Sequence, residues 1–277
     1  MYQIVEKKRL NDSVTKMSVQ APHIARKVKP GQFIILRVNE TGERIPLTVA
    51  DFDREKGTVT IIFQIVGKTT MLLNTLEPGD SILDFVGPLG KATELDGYNS
   101  VAVVGGGVGC AIAYPEAKAL HHMGAQVDII AGFRNKDIII LEEEMRAASS
   151  RLFVATDDGS NGIKGFVTDI LKQQLDGGKK YDLVIAIGPL PMMRAVSALT
   201  KEYGIKTIVS MNPIMIDGTG MCGGCRLLVG GKVKFACVDG PDFDGHEVDF
   251  DEAIARSRNY REEEGHACRL FGGGNNG

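Results

Sequence analysis

The chain has 277 residues, enough for two cores of ordinary size, and its 43% hydrophobic and 24% charged residues are those of a folded protein rather than a disordered one. A formal net charge of -3 leaves no basic excess to draw nucleic acid, and the absence of Trp with only 6% aromatics argues against a stacking platform for bases or sugars. The opening MYQIVEKKRL lacks the apolar core of an export signal, and no apolar run nears the roughly 18 residues of a spanning helix, so a cytoplasmic protein without membrane contact is expected.

Residues 1–97 read as short β-rich runs broken by turn residues: YQIVEKKRL, SVTKMSVQA, GQFIILRV, IPLTVADF, GTVTIIFQIV and DSILDFVG, with Pro30-Gly31 and Pro78-Gly79 among the turns. Six strands at that spacing predict a small closed barrel or a sandwich. One helical stretch, TTMLLNTLEPGD, interrupts them, with an expected apolar face at Met71, Leu72 and Leu76 and a stop at Pro78. Over residues 98–212 the texture changes to unrelieved apolar runs, VAVVGGG, QVDIIAGF, RLFVATDDG, DLVIAIGP and KTIVSMN, alternating with helical patterns. Such runs suit parallel strands covered on both faces, so a doubly wound α/β domain is expected. A cysteine-bearing segment, 213–248, follows. Residues 249–277 then hold DFDEAIARSRNYREEE, read as a short exposed helix capped by Asp249 or Asp251, and a low-complexity tail, GGGNNG, expected to be disordered.

Three stretches suggest a nucleotide. Gly105, Gly106, Gly107 and Gly109, with Val108 between them, follow a predicted strand and open a predicted helix, where N–H groups can face a pyrophosphate. Cys110 replaces the last glycine of G-x-G-x-x-G and the next strand ends GFRN instead of in an acidic residue, so a plain tight turn is the competing reading. Asp157, Asp158 and Gly159 in ATDDGS, and Gly188 and Pro189 in AIGPLPMM, sit at two further strand ends, where open α/β sheets bind ligands, although turn chemistry explains either as well. Arg134 is a candidate contact for ribose, adenine or a 2′-phosphate, or else a solvated side chain. In the barrel, Arg44 offers a bidentate donor for a pyrophosphate and Thr48 a hydroxyl for a flavin ring edge, while Pro46, beside Leu47, reads as the mark of an edge strand. Gly67, Lys68, Thr69 and Thr70 open the short helix, with Thr69 either a phosphate donor or an N-cap.

The cysteines carry the most specific signal. Three of the five fall within residues 222–237, which suits metal ligation better than a disulfide framework in a chain without an export signal. Cys222 and Cys225 form C-x2-C, Cys237 lies beyond a predicted hairpin, RLLVGGKVKFA, and Asp217 stands five residues before Cys222. With aspartate in the first place this is the C-x4-C-x2-C...C spacing of plant-type two-iron clusters, with one substitution. The competing reading is a structural zinc completed by His246 or Cys268. Cys110 and Cys268 otherwise read as small buried hydrophobes.

Taken together, these motifs resemble the ferredoxin-NADP reductase superfamily. Within it they resemble the branch that holds the electron-transfer subunits of dihydroorotate dehydrogenase and the small subunits of NADH-dependent, electron-bifurcating ferredoxin:NADP transhydrogenases. The resemblance spans nearly the whole chain. It implies a β + α/β architecture: an N-terminal flavin-binding antiparallel β-barrel, a doubly wound parallel-sheet NAD-binding domain and a small C-terminal [2Fe-2S] segment. FAD would be held at Arg44-Ile45-Pro46-Leu47-Thr48 and Gly67-Lys68-Thr69-Thr70, and NAD(H) at Gly105 to Gly109 with Asp157, Gly159, Gly188 and Pro189. The cluster would be held by Asp217, Cys222, Cys225 and Cys237, with the dihydroorotate dehydrogenase subunits carrying cysteine where Asp217 stands and the bifurcating subunits aspartate. The implied activity is electron transfer from NAD(H), without a catalytic acid or base, to a larger flavin and [4Fe-4S] partner subunit that deals with NADP(H) and ferredoxin. No Tyr follows Arg44, and Phe271 is trailed by glycines and asparagines where the superfamily places a terminal aromatic.

Overall fold

A computed structural model describes residues 1–273, so residues 274–277 of the expected disordered tail and the Phe271 side chain lie outside the described part. The barrel consists of β1 (Tyr2–Asn11), β2 (Val14–Gln20), β3 (Phe33–Arg37), β4 (Ile45–Asp53), β5 (Thr58–Gln64), β6 (Ser81–Ile82) and β7 (Asp84–Leu89). Their order is β6-β1-β2-β5-β4-β3-β7, one strand more than the sequence reading expects. Only Leu83 separates β6 from β7, so one stretch of chain pairs with β1 at one edge and with β3 at the other, which nearly closes the sheet and shields both edges. Side-chain alternation along β3 is what joins the barrel to the rest. Ile34 and Leu36 enter the barrel core with Met17, Ile61, Phe63 and Phe85, whereas Phe33 and Ile35 enter a second core shared with the α/β sheet.

Two short helices belong to the barrel, α1 (Pro22–Ala25) and α2 (Lys68–Thr75). In α2 the fully buried side chain is Leu73, while Met71, Leu72 and Leu76, expected to form its apolar face, are half-buried. Thr69 and Leu73, four residues apart, make the inward face, and a threonine at one end of the stripe conceals it from an apolar-pattern reading.

The second sheet has the order β10-β9-β8-β11-β12-β15. Strands β8 (Ser100–Gly106), β9 (Gln126–Phe133), β10 (Arg151–Thr156), β11 (Leu183–Ile187) and β12 (Thr207–Ser210) are parallel, as their apolar runs predict. Helices α3 (Gly109–His122), α4 (Glu142–Ala147), α5 (Val167–Asp176) and α6 (Leu190–Glu202) connect them. Strand order reverses between β8 and β11, and a crevice opens there at the carboxyl ends of the strands.

The cysteine segment forms the hairpin β13 (Arg226–Val229) and β14 (Lys232–Phe235), turning at Gly230-Gly231, followed by the short helix α7 (Ala236–Asp239). Its end, β15 (Asp242–Asp244), adds antiparallel to β12 and makes a sixth strand of the nucleotide-domain sheet that the sequence reading does not anticipate. Asp249 caps α8 (Phe250–Arg256), its carboxylate accepting from the Glu252 N–H at 3.0 Å, and Phe250 is buried. A further helix, α9 (Arg261–Gly273), returns towards α2.

Candidate cofactor cleft and cluster loop

All three parts of the chain face one cleft of about 1790 Å³. Ordinary small-molecule pockets are about 300–1,000 Å³, so this cleft has room for two dinucleotides side by side. The glycine loop forms its floor at the strand-order reversal. Gly106, Gly107, Val108 and Gly109 line it, with Gly188 and Pro189 from the end of β11 opposite. The crossing is tight because a Cβ on Gly109 would lie 2.4 Å from the Ile187 carbonyl oxygen, so glycine is what lets α3 start against β11. Gly105 packs instead beneath the loop against Cys110. Cys110 is 1% exposed, and burial pushes its thiol up to about 12, so it is the inert small hydrophobe expected.

At the neighbouring strand ends, Arg134 and Asp157 line the cleft. Asp158 and Gly159 do not: the Asp158 carboxylate accepts from the Ser160 N–H at 2.9 Å, and Gly159 turns the chain with φ +77° beside Lys164. Turn chemistry accounts for those two.

The barrel supplies the opposite wall through Arg44, Pro46, Leu47 and Thr48 and through Gly67 to Thr70. Strand β4 is interior, between β5 and β3, which corrects the edge-strand reading of Pro46. The proline is tolerated because β4 pairs with β5 only from Val49 onward, leaving the side of Ile45–Thr48 away from β3 without a ladder partner. At the start of α2 the Thr70 hydroxyl, not that of Thr69, accepts from the Val66 and Gly67 N–H groups at 3.0 Å each. Thr69 donates to Glu43 Oε2 at 3.3 Å, so it is no N-cap. Arg44 Nε donates to the Ile216 carbonyl at 2.8 Å and ties the barrel wall to the cysteine segment.

That tie leads to the cluster loop, for Pro213 to Ile216 also line the cleft and Asp217 is the next residue. Asp217 Oδ2 accepts from the Thr219 N–H at 2.9 Å, from the Met221 N–H at 3.3 Å and from the Thr219 hydroxyl, while no hydrogen bond engages Oδ1 among the described residues. Cys222 is exposed, and the backbone N–H groups of Gly224 and Asp217 hold its thiol below the ordinary range. Cys225 and Cys237 are buried, and the Cys237 N–H donates to Cys225 Sγ at 3.4 Å. Amide donors aimed at sulfur are the chemistry an iron-sulfur cluster requires. A single zinc would need its ligands to converge on one point, and among the described residues no three His, Cys, Asp or Glu do so. His246 bonds the Thr200 hydroxyl at 3.0 Å, and Cys268, read as a buried hydrophobe or a zinc ligand, is a half-buried cleft residue.

Sequence reasoning missed much of the wall, including two stretches that differ in how visible they are. Ser210 ends β12 with Met211 and Asn212 just beyond it, and the strand-end rule that found Asp157 would have found them too. Tyr260, Glu263, Glu264, Ala267 and Cys268 come from α9 and the turn before it, in a stretch whose charged sequence gives no signal of a cleft wall.

Three family models match in chain order: an oxidoreductase FAD-binding domain over residues 1–93, an oxidoreductase NAD-binding domain over 103–198, and the iron-sulfur cluster binding domain of dihydroorotate dehydrogenase B over 212–249. A dihydroorotate dehydrogenase B (NAD(+)) electron transfer subunit homolog of Thermotoga maritima is 47% identical, covering 95% of this chain and 92% of that one. The dihydroorotate dehydrogenase B electron transfer subunit of Geobacillus thermodenitrificans is 34% identical, covering 88% and 96%. A solved structure of NADH-dependent reduced ferredoxin-NADP oxidoreductase, described in the context of flavin-based electron bifurcation, superposes with a TM-score of 0.93 at 44% identity over 98% of both chains. With FAD-binding, NAD-binding and iron-sulfur domains in this order around one cleft, the chain is an oxidoreductase subunit and belongs to the family of dihydroorotate dehydrogenase B electron transfer subunits.

Proposed function

We propose that the chain exchanges a hydride with NAD(H) at FAD and passes single electrons through a [2Fe-2S] cluster to a larger partner subunit. One observation carries this reading: the barrel, the glycine loop and the stretch leading into the cysteine loop share a cleft large enough for both dinucleotides. Arg44, Pro46, Leu47 and Thr48, with Gly67, Lys68, Thr69 and Thr70, would hold the flavin. Gly105 to Gly109, Arg134, Asp157, Asp158, Gly159, Gly188 and Pro189 would hold or shape the nicotinamide dinucleotide site, and Asp217, Cys222, Cys225 and Cys237 would hold the cluster.

Bound FAD supplies the conversion between two-electron and one-electron chemistry. The chain's own task is to orient and to dry the site. The start of α3 and the Arg44 guanidinium would face and neutralise phosphates, the two walls would hold the ring systems together, and α9, which lines the cleft, would limit the access of water. No side chain has to move a proton from the nicotinamide.

Asp217 in the first ligand position, and the 44% identity over 98% of both chains to the ferredoxin-NADP oxidoreductase, support a bifurcating NADH/NADPH/ferredoxin transhydrogenase. The partner is then a larger flavin and [4Fe-4S] subunit, and ferredoxin is reached only through it. The second reading, an electron-transfer subunit serving dihydroorotate oxidation, draws on the names of the relatives and on the cluster-domain match over 212–249.

The test is an anaerobic visible spectrum of the purified chain with iron, zinc and flavin analysis, before and after NADH and, separately, NADPH. One FAD and two irons per chain, bleached by NADH in preference to NADPH, is the expected result. Zinc without flavin would sink the proposal.

A further inference from the structure

Outside the cleft wall, Thr93 stands between two carboxyls. Its Oγ1 lies 2.9 Å from Glu116 Oε1 and 2.6 Å from Asp242 Oδ2. The three residues come from three parts of the chain: the loop leaving the barrel, the middle of α3, and β15. Glu116 is fully buried, and its Oε2, like Asp242 Oδ1, is sealed from water and has no partner among the described residues. Among the described residues no Lys, Arg or His acts on either carboxyl. On α3, Lys118 is paired with Asp51. On the adjoining loops and β15, Lys29, Lys91, Glu94 and Asp244 are exposed. Ser210, across the strand from Asp242, is neutral.

Counting hydrogens decides the protonation state. A hydroxyl donates one proton, so with both carboxyls ionised one of the two contacts would set lone pairs against each other in a dry place. One carboxyl must therefore hold a proton and donate it to the Thr93 oxygen. Burial pushes Glu116 well above the usual carboxylate range, with the Asp242 charge adding to it, and pushes Asp242 up to about 6.

We propose that Glu116, Thr93 and Asp242 form a proton-holding latch that fixes the α/β domain and the cysteine segment against the barrel and so sets the width of the cleft. The latch is tied to the cleft on both sides. Glu116 lies on α3, which begins at Gly109 of the glycine loop, and Ser210, paired with Asp242, lines the wall. Backbone bonds interlock around it: the Thr93 N–H donates to Pro30 O at 3.1 Å and the Lys91 N–H to Gly240 O at 2.7 Å. Loss of the shared proton leaves two like charges on one hydroxyl, and the joint loosens. These are positioning residues; the joint stands independently of the cofactor assignment, which only the kinetic arm of its test uses.

The experiment compares the full-length protein with Glu116→Gln and Asp242→Asn, whose neutral amides can take the place of a protonated carboxyl. Urea unfolding is followed from about pH 5 to about pH 9, where release of one proton moves the wild-type equilibrium towards the unfolded state by up to about tenfold per pH unit. The amide variants should be flat where the wild type slopes, and more stable at the alkaline end. Bleaching by NADH in rapid mixing should slow with rising pH in the wild type and not in Glu116→Gln. Infrared spectra of the wild type at neutral pH should show the carbonyl band of a buried protonated acid, a readout that needs no variant to fold. Parallel unfolding profiles, or absence of that band, would overturn the latch. Flattened unfolding with bleaching rates that respond to pH equally in all proteins would overturn its link to the cleft.

Discussion

A methyl group built on Gly109 would meet the Ile187 carbonyl oxygen at 2.4 Å and Gly188 Cα at 2.8 Å, both backbone atoms of the neighbouring strand end. Neither can swing aside as a side chain would. Gly107, two residues earlier, has φ +57° but open space where its Cβ would point. The two glycines therefore do different work: one permits a close approach and the other a left-handed turn. Gly109→Ala is expected to destabilise the protein by about 3 kcal/mol as α3 is forced off β11. It should also weaken NADH binding, because the same shift carries the loop's N–H groups out of place. Gly107→Ala should cost about 1 kcal/mol, the backbone penalty alone. Urea unfolding midpoints at unchanged slope measure both; equal losses would mean that the contact with β11 is softer than its geometry.

Helix α2 shows how far patterning reaches and where it stops. Its position, its stop before Pro78 and its place beside the cleft follow from the sequence, but the face it buries does not. Thr69 and Leu73 point inward, and an apolar count prefers Met71, Leu72 and Leu76. Leu73→Ala should cost about 3 kcal/mol through a cavity in the barrel core, and Leu72→Ala less than about 1 kcal/mol; thermal unfolding of the two variants separates them. The same physics explains which other elements were legible. Strands β8 and β11 announce themselves most plainly because both faces are buried and their apolar runs are continuous. Strand β15, Asp-Phe-Asp, carries one apolar side chain and exists because β12 offers it an edge, so nothing local could reveal it. Helix α9 opens Arg-Glu-Glu-Glu and gains its place from the cleft it covers. Site residues divide the same way. Motif glycines and cysteines show in sequence because chemistry fixes their type, whereas Tyr260, Glu263 and Glu264 reach the cleft only through tertiary packing.

Across the whole molecule, two buried acidic groups lie far apart in the architecture and respond oppositely to pH. Asp128, 1% exposed in β9, accepts from Arg151 Nε at 2.9 Å and from the Tyr181 hydroxyl at 2.7 Å, at the amino-terminal end of the parallel sheet and away from the cleft. Burial alone would raise its pKa, but the Arg151 and Tyr181 hydrogen bonds hold it below the ordinary value of 3.8. An acid depressed in the folded state stabilises above its unfolded pKa, and that stability is lost as pH falls through the folded value. The Glu116 and Asp242 pair is raised, so its contribution is whole at low pH and is lost as pH rises from about 4 through the folded values. The stability curve should therefore have an acid limb to which Asp128 contributes as a buried group and an opposite limb to which the latch contributes. Asp128→Asn should cost about 2 kcal/mol at neutral pH, less than a fully buried pair because Arg151 keeps access to water. Its profile should converge on the wild type in strong acid, where the wild-type carboxyl is also neutral. Unfolding followed across pH checks this, and a constant gap between the two proteins down to the lowest pH would mean that the loss is one of packing and not of charge. Because Asp128 sits at the end of the sheet remote from the cleft, its variant should leave bleaching by NADH unchanged while Glu116→Gln alters its pH dependence, which separates the stability of the sheet from the geometry of the cleft.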